Sequence, residues 1–183
     1  VLSDNGPQFA GFKHGFTMFE KFLMNNDILP VHCRIKHPQT QGKIERFHGT
    51  MKRELLNHNL FKNLDYADKA LQEWRIKYNC LRPHEALGNK CPADIYTHSE
   101  RIFADKVEPF EYESGFKVIK VNSWGYVRFQ NFQLYLSETF IGDYVQFRPN
   151  PSNDSFLVCY RNFVIAEYDA LSGERIHRKI SRL

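Results

Sequence analysis

At 183 residues, with 42% hydrophobic and 15% aromatic side chains, the chain holds enough apolar material for one large or two small domains, which excludes wholesale disorder. Its formal charge of +4 is mild but uneven: residues 1–98 carry 14 Lys/Arg against 10 Asp/Glu, while residues 99–183 carry 11 of each, so the cationic half is the one suited to a polyanion. Cys33, Cys80, Cys91 and Cys159 lie far apart with no Cys-x-x-Cys pair, which excludes a disulfide framework or zinc knuckle and points to a reducing, cytoplasmic setting.

The first predicted element is the tail of a strand running into Ser3-Asp4-Asn5-Gly6-Pro7-Gln8-Phe9, a tight turn in which Gly6 can take positive φ and Pro7 fixes its own. Residues 17–25 predict a short helix with Phe19, Phe22 and Leu23 on one stripe, and residues 31–35 a short strand. A polar loop, His37-Pro38-Gln39-Thr40-Gln41-Gly42, leads to a long helix from about residue 41 to 58. Its apolar face is Ile44, Phe47, His48, Met51 and Leu55, with His48 packed into it and Glu45 beside it. Another helix is predicted from about 65 to 78, capped by Asp65, burying Ala67, Ala70, Leu71, Trp74 and Tyr78, and stopped by Arg82-Pro83-His84.

Residues 99–114 hold five acids and two bases and read as a connector. Beyond them, short alternating runs at 116–121, 125–129, 132–136, 143–148, 156–160 and 163–168 predict a small antiparallel barrel or sandwich, since closure hides the edges of such short strands. Tyr126, Phe129, Phe132 and Tyr135 are expected in its core, and the basic tail 175–182 is expected to fray. No run approaches the ~18 apolar residues of a membrane span, so no membrane partner is expected. Val1 is not an initiator methionine, and the chain is expected to be an amino-terminally truncated piece.

Asp4 and Glu45 carry the chemistry. One is presented at a strand end and the other at a helix start, with forty residues between them. Carboxylates so placed can hold the divalent cations that activate an oxygen nucleophile and stabilise a leaving oxygen in phosphodiester chemistry. Asn5, Gln41 and Lys43 surround them in sequence, and Arg46, Lys52 and Arg53 continue a cationic side along the helix, suited to phosphate and sugar contacts.

The Ser3–Phe9 turn, the His37–His48 stretch, the run Tyr78-Asn79…Arg82-Pro83-His84-Glu85-Ala86-Leu87 and the block Pro92-Ala93-Asp94-Ile95-Tyr96 together resemble the catalytic core of bacterial insertion-sequence transposases, which are related to retroviral integrases. The resemblance implies an α+β chain: 1–98 as the carboxy-terminal, mostly helical part of a ribonuclease-H-like core, 99–114 as linker, and 115–183 as a small SH3-like β-barrel. It makes Asp4 and Glu45 the second and third acids of an Asp-Asp-Glu triad, binding Mg²⁺ or Mn²⁺, with Asn5, Gln41, Lys43, Arg46, Lys52 and Arg53 on DNA. The complete enzyme is expected to cleave transposon ends and join the 3′-hydroxyl to target DNA, as a homo-oligomer. The triad's first acid has no counterpart in these residues, so the chain alone is expected to bind nucleic acid without catalysing transfer. The alternatives are a non-catalytic DNA-binding or assembly module and a related ribonuclease-H-like nuclease.

Overall fold

The computed structural model describes residues 1–11, 15–33, 42–103, 105–177 and 180–183. The chain is mixed α/β and divides into two compact units, Val1–His37 with Phe103–Leu183, and Pro38–Ile102. This grouping differs from the segments drawn from sequence, because the first helix packs on the carboxy-terminal strands.

The first unit opens with β1 (Leu2–Ser3), paired in parallel with β2 (Val31–His32). The remainder of the strand expected over 31–35 lies largely outside the described residues. Between them runs α1 (Met18–Asn25), whose start is a capping box: the Glu20 amide donates to Thr17 Oγ1 at 3.1 Å and the Thr17 amide to Glu20 Oε2 at 2.7 Å. That exchange turns Glu20 inward, and residues three and four further on follow it. The buried face is therefore Glu20, Leu23 and Met24; of the expected Phe19–Phe22–Leu23 stripe Leu23 is buried and Phe19 partly so, while Phe22 is 47% exposed. Met24 and Phe16 join the core of the carboxy-terminal strands, and Lys21 pairs with Asp143.

Those strands are β3 (Lys117–Lys120), β4 (Tyr126–Phe129), β5 (Phe132–Tyr135), β6 (Tyr144–Pro149), β7 (Ser155–Tyr160), β8 (Phe163–Asp169), β9 (Arg175–His177) and β10 (Ser181–Arg182). One antiparallel sheet runs β10-β8-β7-β6-β3 with β9 also on β8, while β4 and β5 form a separate hairpin. The expected barrel is not closed among the described residues: the path ends openly at β3 and at β9/β10, because the hairpin's ladder is not continuous with the sheet. The hairpin instead covers the sheet through Val127, Phe129, Phe132 and Leu134, with Phe129 stacked on Phe147 at 4.1 Å. Tyr126 and Tyr135, expected inside, alternate to the other face and lie half-buried against each other. The tail expected to fray supplies β9 and β10, two short stretches paired with β8.

Residues of the expected connector are tied to this sheet. The Tyr112 hydroxyl donates to Tyr144 O and accepts from the Arg161 amide at 3.2 Å, and Arg161 Nη2 donates to Glu108 O at 2.8 Å. Burial pushes the Tyr112 phenol up to about 12, against the opposing pull of the Arg161 amide.

The second unit is helical: α2 (Gly42–Glu54), a 3-10 turn (Leu56–His58), α3 (Leu64–Ile76), a π-helical segment (Lys77–Leu81) and α4 (Pro92–Ile95). The α3 stripe is as expected, with Trp74 buried and Ala67, Ala70, Leu71 and Tyr78 partly so. Its cap is Asn63, whose Oδ1 accepts from the Tyr66 amide at 3.0 Å; Asp65 sits in the first turn instead. On α2 the covered positions are Phe47, Thr50, Met51 and Leu55. Phe47, Met51 and Leu55 are covered as expected, but Ile44 is 52% exposed and His48 is exposed, so these two fall outside the buried face. Phe47 packs against the rings of Trp74 and Tyr78, which sets the side of the helix that is buried.

Candidate functional site

Asp4 directly follows β1. Its carboxylate Oδ1 accepts from the Gly6 amide at 2.8 Å, and the turn continues as the Phe9 and Ala10 amides bond to Gly6 O at 2.9 Å each. Gly6 does not take a positive φ, and a side chain there would meet the ends of the Gln8 and Asp4 side chains, at 2.8 and 3.0 Å. Asn5 Nδ2 donates to Cys33 O at 2.8 Å, which ties this exposed side chain to the adjoining segment. Asp4 is exposed on a turn whose two flanks are anchored.

Glu45 lies in the first turn of α2, exposed, with no hydrogen-bond or ion-pair partner among the described residues. The positive end of the helix dipole favours a carboxylate there. Lys43, Arg46, Lys52 and Arg53 are all exposed. At 100° per residue Glu45 and Lys52 share one flank, while Lys43, Arg46 and Arg53 lie round the other side. Gln41 lies outside the described residues.

Two clusters escaped the sequence. In the second unit, Phe47 lies 5.5 Å from Trp74 and 5.2 Å from Tyr78, and Tyr78 meets His84 at 4.9 Å. Trp74 Nε1 donates to Glu54 Oε2 at 3.0 Å, Arg82 pairs with the other carboxylate oxygen, and its guanidinium lies 5.7 Å over the Tyr78 ring. Desolvation raises the Glu54 pKa, but the Trp74 and Arg82 hydrogen bonds outweigh it and hold the carboxyl below its ordinary 4.5. The brace explains the Tyr78…Arg82-Pro83-His84 motif: it orients the helix that carries Glu45. In the first unit, Glu20, His32 and Ser3 are linked by side-chain hydrogen bonds of 3.0 Å each. No sequence period could show either cluster, since each joins residues from separate elements.

Exposed carboxylates at Asp4 and Glu45 are hard oxygen donors, and Asp4 keeps Oδ2 outside its turn hydrogen bond, which fits Mg²⁺ or Mn²⁺ better than a softer metal. Among the described residues no three His, Cys, Asp or Glu side chains are grouped around a common point, and none of the helices is long and apolar enough to cross a membrane.

The integrase core domain family matches residues 26–92, a span that includes Glu45 and the aromatic brace and leaves out Asp4. The 39.2 kDa protein of insertion element IS476 from Xanthomonas euvesicatoria is 29% identical over 110 residues, covering 60% of this chain and 30% of its own length. The 31.7 kDa protein of insertion element IS407 from Burkholderia multivorans is 28% identical over 111 residues, covering 61% and 38%. The 31 kDa protein of insertion element IS600 from Shigella sonnei is 33% identical over 92 residues, covering 50% and 32%. The chain thus spans about a third of the length of the curated relatives it matches. Over residues 26–92 the chain is similar to the integrase core domain family, and the relatives that share this similarity are proteins of insertion elements.

Proposed function

We propose that this chain is part of a DNA strand-transfer enzyme, a segment of a ribonuclease-H-like core in which Asp4 and Glu45 serve as ligands of divalent cations. The observation that carries the reading is the integrase-core match over residues 26–92, with Glu45 exposed in the first turn of α2 inside it. Asp4 supports it as a second exposed carboxylate on an anchored turn. A bound Mg²⁺ or Mn²⁺ would supply Lewis-acid activation of the attacking oxygen and stabilise the leaving one in an in-line displacement. The chain's own contribution is to hold carboxylate oxygens for the cation and to set cationic groups on the phosphates. Lys43, Arg46, Lys52 and Arg53 neutralise phosphate charge along α2, whatever the base sequence. Exposed Leu60, Leu64, Ile76 and Leu81 in the helical unit support self-association as well.

Mn²⁺ titration followed by paramagnetic broadening of amide signals tests the metal role. Signals near residues 4 and 45 should broaden in the native chain, with Asp4→Asn abolishing the first set and Glu45→Gln the second. Broadening that survives both substitutions would end this reading.

A further inference from the structure

We propose that Glu20 and His32 are positioning residues for Asp4, acting through Ser3. This rests on the metal-ligand reading of Asp4 and names what holds that acid in place.

The strand that delivers Asp4 is only two residues long, and both its Leu2 and the facing Val31 are nearly half exposed. Two parallel pairings at an exposed edge are a weak clamp. Side chains supply the rest. Ser3 Oγ lies 3.0 Å from His32 Nδ1, and Asn5 Nδ2 donates to Cys33 O at 2.8 Å, so the residues on either side of Asp4 are each tied to the neighbouring segment. His32 Nε2 in turn lies 3.0 Å from Glu20 Oε1. Glu20 is fully buried, and its Oε2 accepts from the Thr17 amide at 2.7 Å and the Gly11 amide at 3.3 Å.

A capping box alone does not call for this arrangement. Glutamine closes such a box as well as glutamate does, and either can sit in solvent. A buried carboxylate is costly unless its oxygens are satisfied, and here one oxygen is satisfied by the helix start and the other by a histidine from the next strand. If Glu20 accepts, His32 Nε2 is the donor, and in a neutral ring Nδ1 is then left to accept from the Ser3 hydroxyl. In that tautomer the direction of the Ser3 hydrogen bond is set from α1. The line from buried α1 to the turn of Asp4 resembles the outer hydrogen-bond partners that orient metal-binding carboxylates, whose loss typically weakens metal binding about 10–100-fold.

The test combines imidazole ¹⁵N NMR with Mn²⁺ titration of the whole chain. In the native chain His32 should show hydrogen on Nε2. Glu20→Gln keeps the cap but turns its amide NH₂ toward His32, so the ring should switch to hydrogen on Nδ1. Ser3→Ala, a mild change at a partly exposed site, should weaken Mn²⁺ broadening at residues 3–6 by about tenfold, and Ser3→Thr, which keeps the hydroxyl, should restore it. Native broadening that Ser3→Ala leaves unchanged would overturn the positioning role while sparing the metal role of Asp4. An unaltered His32 nitrogen pattern in Glu20→Gln would overturn the relay itself. A native chain without broadening at residues 3–6 would overturn both the metal role and this proposal.

Discussion

Phe47 meets Tyr78 edge-on, with ring centroids 5.2 Å apart, two residues along α2 from Glu45. Edge-to-face pairs of this kind add specificity to apolar burial. With Trp74 packed on both rings, the contact fixes the rotation of α2 and so decides that Glu45 faces solvent while Thr50 is buried.

Tyr78→Ala should therefore destabilise the helical unit by about 2 kcal/mol, below the range for a fully buried aromatic because Tyr78 is only partly covered. Ile44→Ser, at a position 52% exposed, should stay within about 0.5 kcal/mol of the native chain. Urea unfolding followed by Trp74 fluorescence in a Trp124→Phe background measures both, and similar losses from the two would contradict the brace.

The same cluster has a pH signature. Glu54 has a folded pKa below its ordinary 4.5, so it contributes stability that is present above about that pH and lost as pH falls through the lowered folded value. Glu54→Gln should flatten the acid limb of the helical unit's stability below about pH 4.5 and leave the neutral region comparatively level. Unfolding midpoints between about pH 3 and 6 would show it; an unchanged acid limb in the variant would locate the sensitivity elsewhere.

Gly125 has φ +76°, and a side-chain carbon there would come within 2.7 Å of the Ser137 carbonyl carbon. Gly115 has φ +93° but open space around it. Gly115→Ala should lose about 1–2 kcal/mol from left-handed strain alone, whereas Gly125→Ala should lose clearly more, because the backbone at Ser137 must also shift. Thermal midpoints of the two variants, compared side by side, decide it, and equal losses would count against the close approach.

Cations along α2 should show in salt dependence. If Lys52 and Arg53 each neutralise a phosphate of double-stranded DNA, Lys52→Glu with Arg53→Glu should weaken binding and lower the slope of log affinity against log salt by about 2. Arg148 and Arg161 are a useful contrast. Arg148 pairs with Glu113 at 2.9 Å and Arg161 holds Glu108 O, so their loss should destabilise the sheet unit first. Fluorescence anisotropy across a salt series tests the slope; one unchanged by the double substitution would remove α2 from the DNA surface.

Much of the site was legible locally. The Asp4–Gly6 turn, the exposed first-turn Glu45 and the α3 stripe follow from short-range rules, because turn chemistry and a 3.6-residue period are properties of neighbouring residues. The tie from Asn5 to the next segment was not legible in this way: nothing near it in sequence reveals that its amide meets Cys33 O.

The amino-acid order by itself determined the mixed composition of helices and short strands, their approximate places, and the motifs that resemble an integrase core. Only the tertiary structure decided which faces are buried: α1 through Glu20 and Met24, α2 with Thr50 inside and Ile44 outside, and the hairpin laid over an open sheet. It also decided the distant partners of Glu20 and Glu54: His32 for the first, Trp74 and Arg82 for the second, 12 to 28 positions away. Such contacts depend on how whole elements meet, and side chains that touch only after folding leave no periodic trace along the chain.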